Sequence, residues 1–124
     1  MAQTIPVYIE GDVTESAGLS DGSQTTAAKI TTGGGSVASG LLWGVHGELS
    51  STGGQATVRV FSAQSSGREL YSVTMDFSGG ATQASDLMSS AIPMFEAPWF
   101  TVEGDSTSAS KKLKVNFYIQ AVRF

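Results

Sequence analysis

An all-β fold, a single antiparallel β-sandwich of jelly-roll type, is what this sequence predicts, and three observations predict it. From Lys112 to Phe124 the chain alternates Leu113, Val115, Phe117, Ile119 and Ala121 against Lys112, Lys114, Asn116, Tyr118 and Gln120. A period of two places one set on each face of a strand, the pattern of a sheet with one face wet. The other apolar stretches are short and separated by Gly, Ser and Thr clusters, giving seven or eight strands at sandwich spacing. Finally, 124 residues suffice for one two-sheet core without disulfides or metal.

The elements follow in order. Thr4–Ile9 reads as a short edge strand, because Pro6 cannot donate to a ladder. Residues 11–26 are polar and turn-rich, with Ser20-Asp21-Gly22-Ser23 the strongest turn signal. Ala27–Thr31 is a brief strand before Gly33-Gly34-Gly35. Val37–Leu49 is the first apolar strand, and Gly40, Gly44 and Gly47 within it suggest a bulge or a close backbone approach. Ser51-Thr52-Gly53-Gly54 then leads into Ala56–Ala63, and the two strands read as a hairpin. Glu69–Phe77 follows, with Tyr71, Val73, Met75 and Phe77 on one face. Ala81–Ala91 is the one candidate helix, of two turns at most. Ile92–Pro98 reads as an extended connector, since the residue before each proline is pushed out of the helical region. Trp99–Glu103 is a strand, Gly104–Ser110 a polar turn, and the closing strand ends the chain.

Composition excludes several classes. Charged residues make up 15% of the chain, well below the roughly 25% of an average soluble domain. The net charge is nevertheless only −4 and the strands alternate, so the chain is ordered. Without cysteine there is neither a thiol nucleophile nor a disulfide framework. The Met1-Ala2-Gln3-Thr4 start carries no signal-peptide pattern, and no segment nears the ~20 apolar residues of a membrane span. The charge itself is lopsided. Residues 1–24 hold Glu10, Asp12, Glu15 and Asp21 with no base, while the remainder is balanced. Residues 1–24 therefore read as an acidic N-terminal arm that includes the edge strand, and residues 25–124 as the sandwich domain. A clustered basic face is absent, so nucleic acid is not an expected partner, nor is a membrane.

No constellation of side chains points to catalysis. His46 is the one group with an ordinary pKa near neutrality, and alternation puts it on the face opposite Trp43 and Val45. No serine sits in a G-x-S-x-G elbow, and one histidine without cysteine makes a zinc site improbable. Gly33-Gly34-Gly35-Ser36-Val37-Ala38 matches G-x-G-x-x-A in form, but no helix follows to carry a pyrophosphate. The pairs Glu10/Asp12 and Glu103/Asp105 have oxygens suited to a loop calcium, although a solvated loop is the commoner reading. No catalytic residue, metal or cofactor is expected. Trp43, Tyr118 and Trp99 are the aromatics on which a sugar ring could stack, which makes a carbohydrate-binding or adhesion module the alternative function. Trp43 shares its alternation with Leu41 and Val45 and is expected in the core.

From Leu41 onward the layout resembles small β-rich structural proteins of tailed bacteriophages, of the head decoration or cement type. The stretches that carry it are "LLWGVHGELSSTGGQATVRVFSA", "IPMFEAPWFTVEGD" and "KKLKVNFYIQAVRF". The resemblance implies a non-enzymatic virion protein, assembled in a host cytoplasm, that clamps the major capsid protein or another virion protein, commonly as a homotrimer. A neck, tail or fibre component would share the layout. Candidate partner contacts are Glu10, Asp12, Glu15 and Asp21 of the acidic arm, Met94 and Phe95 of the apolar connector, and Lys111, Lys112 and Lys114.

Overall fold

Two antiparallel sheets packed face to face make up the protein in a computed structural model that describes residues 5–12, 17–19, 28–29, 31–32, 35–36, 40–63, 67–94 and 98–123. The strands in chain order are β1 (Ile5–Asp12), β2 (Ala17–Gly18), β3 (Ala28–Lys29), β4 (Thr31–Thr32), β5 (Gly35–Ser36) and β6 (Gly40–Leu49). They continue with β7 (Gln55–Phe61), β8 (Glu69–Asp76), β9 (Gln83–Met94), β10 (Trp99–Gly104) and β11 (Lys112–Arg123). The first sheet runs β1-β11-β6-β9, with β2 also on β11, and the second runs β3-β10-β7-β8. The short strands β4 and β5 form a separate ribbon.

The pairing is nested. β1 pairs with β11, β3 with β10, β6 with β9 and β7 with β8, all antiparallel. Successive pairs alternate between the sheets, as when one long hairpin is wound over itself. This is the eight-stranded jelly roll, in which two Greek keys share one core.

Alternation fills that core from both sides. Leu113, Val115, Phe117 and Ile119 of β11 and Leu42, Val45 and Leu49 of β6 point inward from the first sheet. Ala56, Val58 and Val60 of β7, Met75, Phe77, Phe100 and Val102 meet them from the second. The Phe100 and Phe117 rings touch edge to face across the sheets, with centroids 5.3 Å apart. This is a favoured aromatic geometry. Lys112, Lys114, Asn116 and Tyr118 take the outer face of β11, as the sequence pattern requires.

Three expectations are corrected. Residues 81–91 are not helical: from Gln83 onward they belong to β9, which pairs with β6. Ala84 and Met88 of β9 pack on the core while Gln83, Ser85 and Leu87 are exposed, so the period is two. Asp86, between them, obscures that period because it is polar, but its carboxylate accepts a hydrogen bond from the Tyr71 hydroxyl on β8. The connector is also shorter than expected, since Ile92, Pro93 and Met94 extend β9 and pair with β6. Second, β6 and β7 are not a hairpin. They lie in opposite sheets, joined by an arch through Gly53 and Gly54, whose φ values of 102° and 92° favour glycine. The arch is tied to the end of β8: Gly53 N donates to Phe77 O and Phe77 N to Gly54 O, both at 2.9 Å. Third, Trp43 is outside the core. A bulge leaves Gly44 opposite Tyr118 and Leu42 opposite Ile119, so Trp43 is an extra residue and the alternation resets. Leu42 and Val45 are wholly buried, while Trp43 is half-buried.

The N-terminal segment contributes to the sandwich. β1 lies along β11 from Ile5↔Arg123 to Asp12↔Asn116, at the sheet edge as Pro6 suggests. Leu19 is 4% exposed and belongs to the core.

Candidate interaction surface

The outer face of the first sheet gathers several of the residues singled out in the sequence, and strand register lays their positions in rows. One row runs Glu10, Tyr118, Gly44 and Leu87 across β1, β11, β6 and β9. The next runs Asp12, Asn116, His46 and Ser85, and a third Lys114, Glu48 and Gln83. Directly opposite residues of an antiparallel pair share a face, so each row is a line of neighbours.

The aromatic end is shaped by the bulge. Trp43 follows the inward Leu42 and so falls on the outer side, beside Tyr118 and on the same face as His46, not opposite it. On β9 the irregularity is larger. Leu87 stands opposite Gly44 and Ile92 opposite Leu42, so Met88, Ser89, Ser90 and Ala91 together face the single residue Trp43. Leu87 is 68% exposed, which is unusual for a large apolar side chain. Gly44 is required here, because a Cβ would lie 2.2 Å from the Asp86 carbonyl oxygen.

The middle row is polar. His46 Nδ1 and Ser85 Oγ share a hydrogen bond of 2.5 Å. The charged end carries exposed Lys112 and Lys114, which with Glu48, Leu49, Ser50 and Thr82 line an open depression. Its floor is fixed by backbone bonds, Leu49 N to Thr82 O at 2.7 Å and Ser50 N to Lys112 O at 2.9 Å. Lys111 is not on this face. Its Nζ donates to Thr52 O (2.5 Å) and Gly53 O (2.9 Å) and clamps the β6–β7 arch.

The remaining candidates separate. Glu10 and Asp12 occupy β1 register positions opposite Tyr118 and Asn116. Met94 ends β9 opposite Gly40, while Glu15, Asp21 and Phe95 lie outside the described residues. Trp99 is half-buried in the second sheet, paired with Phe61, so the three aromatics do not converge. That sheet also bears Arg59, which pairs with Glu69 at 3.2 Å and Glu103 at 3.5 Å. Asp105 accepts from Ser108 N (2.9 Å) and Thr107 N (3.1 Å). These backbone donors, Ser108 first, hold its carboxyl below the usual range. Both carboxylates of the Glu103/Asp105 pair are thus engaged by the protein, and among the described residues no three His, Asp or Glu side chains cluster as metal ligands.

The Tyr71 hydroxyl of the second sheet donates to the Asp86 carboxylate of the first. Burial, and then the Asp86 carboxylate beside it, push the Tyr71 phenol well above its usual range. Leu87 and Ser85 carry no signal in the sequence beyond their position on a strand that it disguises. No protein-family model matches the chain, and no curated protein matches its sequence.

Proposed function

We propose that this chain is a non-enzymatic virion structural protein of the head-decoration kind, acting through protein–protein contacts with a capsid protein and with copies of itself in a trimer. The observation that carries the reading is the nested strand order, an architecture that viral capsid domains share with lectins and cupins. One fold serves many functions, so this support is architectural. The layout of the three stretches from Leu41 onward supports the same reading.

The contact would be made by burying surface. A stable interface covers about 1,600 Å² in total, and a shell repeats it over many copies. The charged end, with exposed Lys112 and Lys114 on a rigid strand, is suited to such a contact, since fixed charges steer encounter and set register.

The test is to reverse both charges (Lys112→Glu with Lys114→Glu) and measure binding to undecorated particles at low and high salt. Both side chains are exposed, so folding is retained. Weakened binding, with a smaller salt dependence than wild type, supports the reading. Undiminished binding at both salts removes the lysines from the interface, and failure of the wild-type chain to bind any capsid, neck, tail or fibre component refutes the virion reading.

A further inference from the structure

We propose that the free edge of β9 from Gln83 to Leu87 is a self-association surface, on which a second copy of this chain pairs antiparallel through the same segment. The contact is two-fold and uses neither Lys112 and Lys114 nor the virion reading, so it stands or falls apart from both.

Four strands end the two sheets, and three of them are blunted. β1 contains Pro6, Glu10 and Asp12, β3 is two residues long, and β8 has exposed Glu69 and Asp76 at its ends. Proline, shortness and charge are the usual guards against an incoming strand. β9 is twelve residues long, and among the described residues it pairs with β6 alone. Its second half is guarded by Pro93 and by the irregularity that sets Met88–Ala91 against Trp43. Its first half, Gln83–Leu87, holds a regular register with no proline. Asp86 is the one ionisable residue there, and its carboxylate already accepts from the Tyr71 hydroxyl behind the sheet. This segment is the unguarded edge.

The backbone on it is free. Leu49 N donates to Thr82 O at 2.7 Å, so these two form a hydrogen-bonded pair, and by alternation so do Gly47 with Ala84 and Val45 with Asp86. Gln83, Ser85 and Leu87 therefore turn their N–H and C=O groups away from β6, and all three are exposed. The side chains agree. His46 and Ser85 share a hydrogen bond of 2.5 Å, as the closer, non-hydrogen-bonded pair of a ladder permits.

That edge matches itself. A two-fold axis beside Ser85 sets Ser85 against Ser85, and Gln83 of each copy against Leu87 of the other. Each of these three pairs exchanges two backbone bonds, about six in all. Moving the axis by one residue brings in Ala81, which precedes the strand, or Ser89, which lies in the irregularity. Only the Ser85 register pairs all three residues within the regular segment. No free like charges meet across it, and Leu87, 68% exposed, gains cover from the methylenes of Gln83.

The second sheet is compatible. Strands of packed sheets run within about 30° of each other, and the Tyr71–Asp86 bond places the middle of β8 behind the same part of β9. The axis therefore exchanges the two ends of β8. Exposed Arg68 beside one end comes toward exposed Asp76 at the other, so the charges are complementary. A foreign strand would gain the backbone bonds without this reciprocity. Five paired residues span about 17 Å, which puts the contact at the small end of interface sizes. The dimer should be reversible, with a Kd of about 10–100 μM.

The experiment measures sedimentation of the full chain from about 5 μM to about 1 mM, with amide hydrogen exchange at both ends of that range. A monomer–dimer equilibrium is expected, with the Gln83, Ser85 and Leu87 amides protected only at the high concentration. Gln83→Lys with Leu87→Lys sets like charges opposite each other twice per dimer and should weaken association about tenfold or more. Gln83→Lys with Leu87→Glu sets opposite charges there and should stay within about threefold of wild type. Both positions are exposed, and circular dichroism reports folding. Ser85→Lys, which opposes two lysines at the axis, replaces a lysine pair that does not fold. A monomer throughout the range overturns the proposal. So does equal association of the two folded double variants, or dimerisation without protection of those three amides.

Discussion

Replacing Gly44 or Gly47 by alanine separates two kinds of close approach on the same strand. A Cβ on Gly44 would stand 2.2 Å from the Asp86 carbonyl oxygen and 3.1 Å from the Leu87 Cα, both backbone atoms of β9. Ordinary contact begins near 3.4 Å, so β9 must retreat along the whole β6–β9 ladder. Overpacking of this kind costs about 1–3 kcal/mol, and more where hydrogen-bonded backbone has to move. Alanine returns about 0.4–1 kcal/mol by restricting the unfolded chain. The net for Gly44→Ala is a loss of about 2 kcal/mol or more. On Gly47 the Cβ would meet the Met75 sulfur at 2.6 Å, and a thioether on a flexible side chain can turn aside. Gly47→Ala should therefore lose about 1 kcal/mol or less. Urea titration read by tryptophan fluorescence gives both values, with an unchanged slope showing that the denatured state is comparable. A Gly44→Ala protein within about 1 kcal/mol of wild type, or a Gly47→Ala protein less stable than Gly44→Ala, would refute the β6–β9 register.

Three further outcomes follow from the core, the clasp and the turn. Phe117→Ala removes a wholly buried ring and its contact with Phe100, and should cost about 3–5 kcal/mol in chemical denaturation. Because the folded-state pKa of Tyr71 is raised, its contribution is fully present below the ordinary phenol pKa of about 10 and is lost as pH rises above that value. Thermal melts of Tyr71→Phe should accordingly fall less steeply than wild type above about pH 10. Asp105 has a depressed pKa, so its contribution is present above about pH 4 and is lost as pH falls further. Asp105→Ala should lower the melting temperature near neutral pH and show a shallower decline on acidification below about pH 4.

The parts legible in the sequence are those where burial follows a single rule. From Lys112 to Ile119 β11 is apolar on every inward position and carries Lys112, Lys114, Asn116 and Tyr118 on the outward ones, so its facing can be read directly. Tyr71, Val73, Met75 and Phe77 group for the same reason and do pack together. β9 is hidden because two residues break the rule. Asp86 is directed toward Tyr71 of the opposite sheet, and Leu87 is left in solvent, so hydrophobicity points the wrong way at adjacent positions. The β6–β7 arch is hidden because a glycine pair signals a turn without saying whether the chain returns to the same sheet. That choice is made at long range by Phe77 and by the Lys111 amine. Trp43 is misplaced by simple alternation because one bulged residue inverts every later position, and no local residue announces the phase. Of the basic candidates, Lys112 and Lys114 stand on the outer face as alternation requires, whereas Lys111 precedes the strand and turns to the arch.

The most direct test of the structural-protein account is mass spectrometry of intact particles produced by the genome that encodes this chain, purified without disruption. The account predicts the 12.8 kDa chain in a fixed, symmetric copy number on the particle, released on disruption in multiples of that mass. Particles that lack the chain, with all of it recovered as a free monomer, would contradict it.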